Sequence, residues 1–181
     1  MGVTGAVLCG GASTRMGRDK TQISVAGTTL AHRVAQVLAD AGCDPVVAIG
    51  GVHQPPLASI ADRFPGQGPL GGIITALGQF PSSDAAAVLA ADLGTVDAAT
   101  VQALIAEVIN GNADVAVAFS GRREPLCAVW SPICLTYLEA AFRAGLRAVH
   151  SALLQLEVVE VAIDPRLMTN VNSPADLDAL G

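Results

Sequence analysis

The sequence predicts an α/β protein built on a mostly parallel sheet. Short apolar runs that end in glycine or aspartate alternate with longer amphipathic segments that carry helix caps. A chain of 181 residues is long enough to bury one substantial core, so we predict a single domain spanning residues 1–181. In such sheets ligands bind beyond the carboxyl ends of the strands, and the functional residues are expected there.

The first half of the chain contains three strand-like runs and two helix-like segments. Each run is short and apolar, as in a buried strand. Thr28 or Thr29 is a suitable N-cap for the first helix and Gly42 a suitable stop, while Pro69 suits the first turn of the second helix. The predicted strands are 3–8, 45–49 and 85–90, and the predicted helices are 29–41 and 69–77.

The second half continues the alternation. The predicted helices are 98–109, 133–144 and 149–156, the predicted strands are 113–119, 126–130 and 158–163, and a short terminal helix begins at Pro174. The turn at 120–124 is short, so the two strands that it joins either pair antiparallel or cross over.

Composition and charge exclude several classes of function. A net charge of −6 argues against general nucleic-acid binding, which requires a basic face, but local positive charge still allows an anionic substrate. No apolar run approaches the roughly 18 residues of a membrane helix, and the N-terminus lacks the basic flank of a signal peptide. We therefore expect a cytoplasmic protein without membrane or nucleic-acid partners.

The four cysteines lack the spacing of a metal site, and we expect them to be reduced and buried. Cys9 lies beside a glycine-rich loop, where a reactive thiol is the alternative to packing.

That loop follows the first predicted strand and ends at Lys20, the only lysine of the chain. It is not a P-loop, since no glycine directly precedes Lys20, and it is not GxGxxG, since Gly10 and Gly11 are adjacent. The second strand also ends without the carboxylate that would hold a ribose hydroxyl in a nicotinamide site. Backbone N–H groups near the glycines can approach a triphosphate, and Arg15 and Lys20 can neutralise its oxygens.

Two further places carry candidate functional residues. Asp92 ends the third strand, and its carboxylate is suited equally to a metal site and to a helix cap or turn, whereas Asp97 fits the start of the next helix. Arg122 and Arg123 either clamp an anionic phosphate or lie in a solvated turn. Trp130 is expected to pack in the core or at its rim.

The segment 10–20 reads GGASTRMGRDK and resembles the signature of nucleotidyltransferases with a glycosyltransferase-A-like fold, most of all the molybdenum cofactor guanylyltransferases. Four later segments agree in order and approximate spacing: GPLGG at 68–72, AD at 91–92, EPLCAVW at 124–130 and NVNSP at 170–174. The chain departs from the family after Asp92, where Leu93-Gly94 stands in place of Met-Pro or Thr-Pro. The resemblance spans nearly the whole chain.

The resemblance implies a three-layer αβα, Rossmann-like nucleotide-diphospho-sugar transferase fold. It also implies transfer of GMP from GTP to the phosphate of molybdenum-molybdopterin, with Mg²⁺ bound by Asp92 and with Arg15, Lys20 and Asp92 as catalytic residues. Transient molybdopterin-delivery proteins and acceptor molybdoenzymes are the expected protein partners. The positions that match the family's binding residues are Leu8, Cys9, Gly10, Gly11, Lys20, Asp62, Gly68, Pro69, Leu70, Asp92, Asn170 and Asn172.

Several alternatives remain open. The same loop would serve cytidylyl transfer to molybdopterin or guanylyl transfer to a small phospho-acid. Asp62 is also suited to a surface loop, and one of Asn170 and Asn172 to capping the helix near Pro174. A nucleotide-binding regulator without turnover would be expected to lack Lys20 or Asp92, and the chain has both.

Overall fold

A computed structural model describes residues 2–10, 24–25, 28–51 and 55–169 of the protein. The strands in these ranges are β1 (Val3–Leu8), β2 (Ser24–Val25), β3 (Thr28–Thr29), β4 (Val46–Ile49), β5 (Ala58–Ile60), β6 (Ala85–Ala90), β7 (Val115–Phe119), β8 (Arg123–Trp130) and β9 (Val158–Ala162). The α-helices are α1 (Leu30–Asp40), α2 (Pro69–Gln79), α3 (Ala98–Ile109), α4 (Cys134–Arg143) and α5 (Val149–Ala152).

Seven of these strands form one mixed sheet in the order β5-β4-β1-β6-β8-β7-β9, and β2 and β3 form a separate two-stranded ribbon. Of the seven described strands, β8 alone runs antiparallel to its neighbours β6 and β7. The prediction of a mostly parallel sheet is confirmed. The turn at 120–124 joins an antiparallel pair, which settles the choice that the sequence left open.

Helices cover both faces of the sheet, because successive side chains of each strand point to opposite sides. On one face Val7 packs with residues of α1 and α3, including Val34 and Leu104. On the other face Leu8 packs with residues of α2 and α4, including Ile73. This arrangement is the predicted three-layer αβα architecture.

Local signals account for the starts of the helices. Thr29 Oγ1 accepts a hydrogen bond from His32 N at 3.3 Å, and Asp97 Oδ1 accepts one from Thr100 N at 2.8 Å. Both N-caps are confirmed. The start of α2 differs, because Gly68 precedes it with φ 92° and supplies no side chain for capping.

Several described elements differ from the predicted ones, and the ribbon of β2 and β3 was not predicted. The segment 149–156 is one short helix followed by a 3₁₀ turn at Leu153–Gln155. β8 begins three residues earlier than predicted, because polar residues and Pro125 obscure its start in the sequence. β5 was not predicted, because it has three residues and none of them is fully buried. The predicted helix at Pro174 lies outside the described residues.

All four cysteines are buried and none of them forms a disulfide bond, so the expectation of reduced, packed thiols is confirmed. Burial raises the pKa of the thiols of Cys43, Cys127 and Cys134 to about 12, and the carboxylates of Glu124 and Asp97 contribute further at Cys127. Across the described ranges, no helix is both long and apolar enough to span a bilayer.

Candidate active site

The carboxyl ends of β1, β4 and β6 meet at one edge of the sheet. Cys9 N donates to Ile49 O at 2.9 Å and Ala91 N donates to Leu8 O at 3.1 Å, so hydrogen bonding between these chains continues past the strands. The beginning of the glycine-rich loop and the loop that carries Asp92 therefore lie side by side, as predicted from the carboxyl ends of the strands.

A pair of glycines after β4 supports the start of the glycine-rich loop. Gly50 and Gly51 have φ of 69° and 71°, a conformation that residues with a side chain rarely adopt. A Cβ atom on Gly51 would lie 2.8 Å from Cys9 Cβ and 2.9 Å from Cys9 O. From the sequence, the end of this strand was considered only for the missing carboxylate of a nicotinamide site. The adjacent pair directly after a strand was the signal for this close approach.

Asp62 lies at the same edge and is half-buried. Its Cβ is 3.5 Å from the position that a Cβ on Gly50 would occupy. Its Oδ1 accepts hydrogen bonds from Phe64 N at 2.9 Å and from Thr75 Oγ1 at 3.1 Å. Asp62 therefore ties the loop after β5 to α2, a structural role that the sequence did not reveal because Thr75 is distant in the chain.

The turn at 68–70 begins α2 beside β1. Two glycines bring the helix close: a Cβ on Gly71 would lie 2.8 Å from Phe64 Cβ, and a Cβ on Gly72 would lie 3.0 Å from Leu8 Cδ2. Gly68 offers no side-chain cap, Pro69 has no N–H group, and Gly71 N donates to Gly68 O at 3.2 Å. The turn therefore places the backbone of residues 68–70 next to the end of β1.

Asp92 lies in the turn that follows β6 and is half-buried. Among the described residues its carboxylate forms no hydrogen bond or ion pair. The hydrogen bond that a helix cap or an Asx turn would require is therefore not formed. The cap of α3 is Asp97 instead. A carboxylate oxygen of this kind fits Mg²⁺, which takes one or two protein carboxylates and completes its shell with phosphate and water. No cluster of three or more metal-ligating side chains occurs in the described part of the chain.

The loop after Asp92 also holds the last described residues of the chain. Thr95 Oγ1 lies 2.9 Å from Leu167 O and 3.3 Å from Thr169 O, and its hydroxyl donates to these carbonyls. The motif at 170–174 therefore follows a segment that is anchored to this loop.

The turn before β8 lies at the same edge of the sheet, because β8 is antiparallel to β6 and therefore begins where β6 ends. Arg122 Nε is 3.0 Å from Glu124 Oε1, and Arg123 Nε is 2.6 Å from Glu160 Oε1. Ser120 Oγ donates to the same Glu124 oxygen at 2.6 Å. Both arginines are exposed and paired with carboxylates, as in a solvated turn.

Trp130 lies at the opposite end of β8 and is fully buried, so it packs in the core rather than at its rim.

Eight of the predicted site residues are described, and they lie around one edge of the sheet: Leu8, Cys9, Gly10, Asp62, Gly68, Pro69, Leu70 and Asp92. Gly11, Arg15, Lys20, Asn170 and Asn172 lie outside the described residues.

Comparison with known proteins gives consistent matches in sequence and structure. The family sequence model of the MobA-like NTP transferase domain matches residues 5–158 of this chain. The probable molybdenum cofactor guanylyltransferase of Opitutus terrae is 34% identical over 97% of this chain and 93% of its own length. The molybdenum cofactor guanylyltransferase of Xanthomonas euvesicatoria is 31% identical over 94% of this chain and 90% of its own length.

Solved structures agree on the fold. Molybdopterin-guanine dinucleotide biosynthesis protein A from Archaeoglobus fulgidus superposes with a TM-score of 0.79 at 25% identity, covering 99% of this chain and 96% of that one. A Mycobacterium tuberculosis protein solved as a manganese complex superposes with a TM-score of 0.73 at 19% identity, covering 99% and 98% of the two chains. The chain is a nucleotidyltransferase that belongs to the MobA-like NTP transferase family, among the molybdenum cofactor guanylyltransferases.

Proposed function

We propose that the protein transfers GMP from GTP to the phosphate of molybdenum-molybdopterin and releases pyrophosphate, forming the guanine dinucleotide of the molybdenum cofactor. The observation that carries the proposal is the meeting of Gly10, Asp62, the turn at 68–70 and Asp92 at one sheet edge. The proposal is also supported by the relatives named molybdenum cofactor guanylyltransferase, which match this chain over nearly its full length.

The nucleotide half of the site comprises the end of β1 and the start of α2. Backbone atoms of residues 8–10 and 68–70 shape the guanine pocket, and Asp62 contacts the ribose or the base. Backbone N–H groups at Gly11 approach the phosphates, and Arg15 and Lys20 neutralise the triphosphate and the departing pyrophosphate.

The metal half of the site is centred on Asp92, whose carboxylate would hold Mg²⁺. When bound, the ion supplies positive charge to the phosphate oxygens. Asn170 and Asn172 contribute amide oxygens toward the metal or the pterin, because the segment before them is anchored to the Asp92 loop through Thr95 and Thr169.

The reaction is an in-line displacement at the α-phosphorus of GTP. An oxygen of the molybdopterin phosphate forms a bond to that phosphorus, and the bond to the pyrophosphate oxygen breaks with its electron pair leaving on pyrophosphate. Catalysis of this kind depends on positioning and charge neutralisation rather than on a covalent enzyme intermediate. We place the enzyme in the cytoplasm, where it receives molybdopterin from a delivery protein and passes its product to acceptor molybdoenzymes.

The test measures pyrophosphate release from GTP, CTP, ATP and UTP with Mg²⁺ and molybdopterin. We expect turnover with GTP, and a loss of about 10²-fold or more for Lys20→Ala, since one preorganised charge contact is removed. Preference for CTP would replace guanylyl by cytidylyl transfer. Nucleotide binding without pyrophosphate release from any nucleotide would favour a regulator.

A further inference from the structure

Arg147 joins the end of α4 to the loop that precedes α2. Its Nη1 donates to the carbonyl oxygens of Phe142 at 2.7 Å and Leu146 at 2.8 Å, and its Nη2 donates to Gln67 Oε1 at 2.9 Å. The guanidinium carbon lies 3.8 Å from the centroid of the Phe142 ring. The Arg147 side chain thus caps carbonyl groups at the end of α4 and also forms a hydrogen bond with Gln67, the residue directly before Gly68.

The same loop is supported by an aromatic pair. The rings of Phe142 and Phe64 are 4.5 Å apart and tilted by 44°. Phe64 packs against Gly71 and donates its backbone N–H to Asp62. The loop at 62–68 is therefore held at its start by Asp62 and Thr75 and at its end by Arg147.

Gly68 has few constraints of its own. Its φ of 92° is a backbone conformation that residues other than glycine rarely adopt. A Cβ atom at this position would contact only the backbone oxygen of Arg147, at 3.7 Å. A glycine turn that must present backbone atoms in one position needs outside support, because errors of about 1 Å weaken recognition. The contact between Arg147 and Gln67 provides that support from the neighbouring residue.

We propose that Arg147 is a positioning residue for base selection: by holding Gln67, it fixes the turn at 68–70 against which the nucleotide base is read. The inference rests on the proposed function, because it takes this turn as part of the base pocket. A guanidinium is suited to positioning the turn because its planar group stacks on the Phe142 ring while its N–H groups donate hydrogen bonds to three acceptors. A lysine ammonium is a flexible point charge and cannot do both.

The test compares Arg147→Ala with a matched control at the end of α4, four residues earlier in the chain. Arg143, the last residue of α4, is exposed and forms no hydrogen bond or ion pair within the described residues. We expect Arg147→Ala to raise the KM and Kd for GTP about tenfold, to change kcat less than about threefold and to lower the preference for GTP over ATP, because the turn that contacts the base loses its support and is displaced. Arg143→Ala should match the wild type.

Two further variants separate positioning from stability. Gln67→Ala removes the same contact from an exposed side chain and should reproduce the loss of base preference, and the double variant should be no worse than Arg147→Ala alone. Arg147→Lys should fail to restore the preference, because it lacks the fork. A lower Tm with an unchanged ratio of Kd values for GTP and ATP, in both Arg147→Ala and Gln67→Ala, would overturn the inference.

The Kd ratio also keeps this inference distinct from the proposed function. A wild type that binds GTP selectively but releases no pyrophosphate contradicts the proposed reaction, and the variants still decide the role of Arg147. A wild type that prefers another base corrects the nucleotide, and the same ratio is then measured for that base. A wild type that binds no nucleotide overturns both.

Discussion

Two aspartates in one loop, five residues apart, have different surroundings. Asp97 Oδ1 accepts the hydrogen bond from Thr100 N that begins α3, so this carboxylate serves the fold. Asp92 is half-buried at the sheet edge and bonds to none of the described residues, so its carboxylate is available to a ligand. Residue type alone does not distinguish them.

This contrast predicts opposite effects of two substitutions. Asp92→Asn, which preserves shape but removes the charge, should lower guanylyl transfer about 10²-fold with little change in Tm. Asp97→Ala should lower the free energy of unfolding by about 1 kcal/mol, the usual cost of a lost N-cap, and retain most of the turnover. Steady-state kinetics and urea unfolding on both variants provide the measurements. Full activity in Asp92→Asn would remove Asp92 from the mechanism.

The residue-scale predictions succeeded where the signal was local. Thr29 and Asp97 were recognised as caps because the N–H that each one bonds is three residues away. The bond from Thr75 to Asp62 spans 13 residues and the bond from Arg147 to Gln67 spans 80, and no local pattern marks such pairs.

At the scale of elements, α2 is placed by glycines rather than by its apolar face alone. Gly71 and Gly78 lie on the same helix, but only Gly71 faces rigid neighbours, since its Cβ would lie 2.8 Å from Phe64 Cβ and 3.4 Å from Phe64 O. At Gly78 the nearest atom is Nη1 of Arg63, the end of a flexible side chain, at 3.0 Å.

Alanine at these two positions should therefore act in opposite directions. Gly71→Ala should lower the free energy of unfolding by about 1–3 kcal/mol through overpacking and weaken GTP binding, because the turn at 68–70 moves with the helix. Gly78→Ala should stabilise the protein by up to about 1 kcal/mol, since alanine is the better helix former. Urea unfolding and GTP titration test both. Equal effects would show that α2 tolerates displacement toward Phe64.

The glycines after β4 offer a second comparison between elements. Gly51 and Gly42 both have positive φ, at 71° and 96°, so alanine at either position costs about 1–2 kcal/mol of backbone strain. Only at Gly51 would the new methyl group meet Cys9, while Gly42 faces open space. Gly51→Ala should be more destabilising in urea than Gly42→Ala and should weaken GTP binding. A smaller loss at Gly51 would mean that the Cys9 backbone yields.

Most elements were predicted from sequence because their signals are strong. Ala85–Ala90 and Ala98–Ile109 have the predicted boundaries, since an apolar run and a capped amphipathic segment are both unambiguous. β5 was missed because pairing with β4, rather than its own composition, makes it a strand. The described candidate residues lie at the sheet edge that the sequence indicated, because parallel strands end together, but the support from Gly51 and Arg147 depends on tertiary packing.

At the scale of the whole molecule, the buried thiols couple stability to pH. The pKa of Cys43, Cys127 and Cys134 is about 12 in the folded protein, whereas an exposed thiol in the unfolded chain titrates near 8.5. Between these values the unfolded state loses protons that the folded state keeps. The contribution of these groups is therefore fully present below about pH 8.5 and declines as pH rises toward 12.

We predict that the free energy of unfolding falls from pH 9 to pH 10.5, by an amount on the order of 1 kcal/mol per pH unit for each buried thiol. Cys43→Ala removes one of these groups and should show a shallower decline than the wild type. Urea unfolding at a series of pH values measures both slopes. Identical slopes would indicate that Cys43 titrates normally in the folded protein.

The order of strands in the main sheet has a consequence for the protein during its synthesis. β8 lies between β6 and β7, yet the ribosome makes β7 first. Until residues 123–130 have emerged, β6 has a partner on only one side, and its apolar residues border an open edge of the sheet. Open edges of this kind invite pairing with other chains. The nascent enzyme therefore passes through an interval in which timely emergence of β8, or shielding by a chaperone, protects it from aggregation.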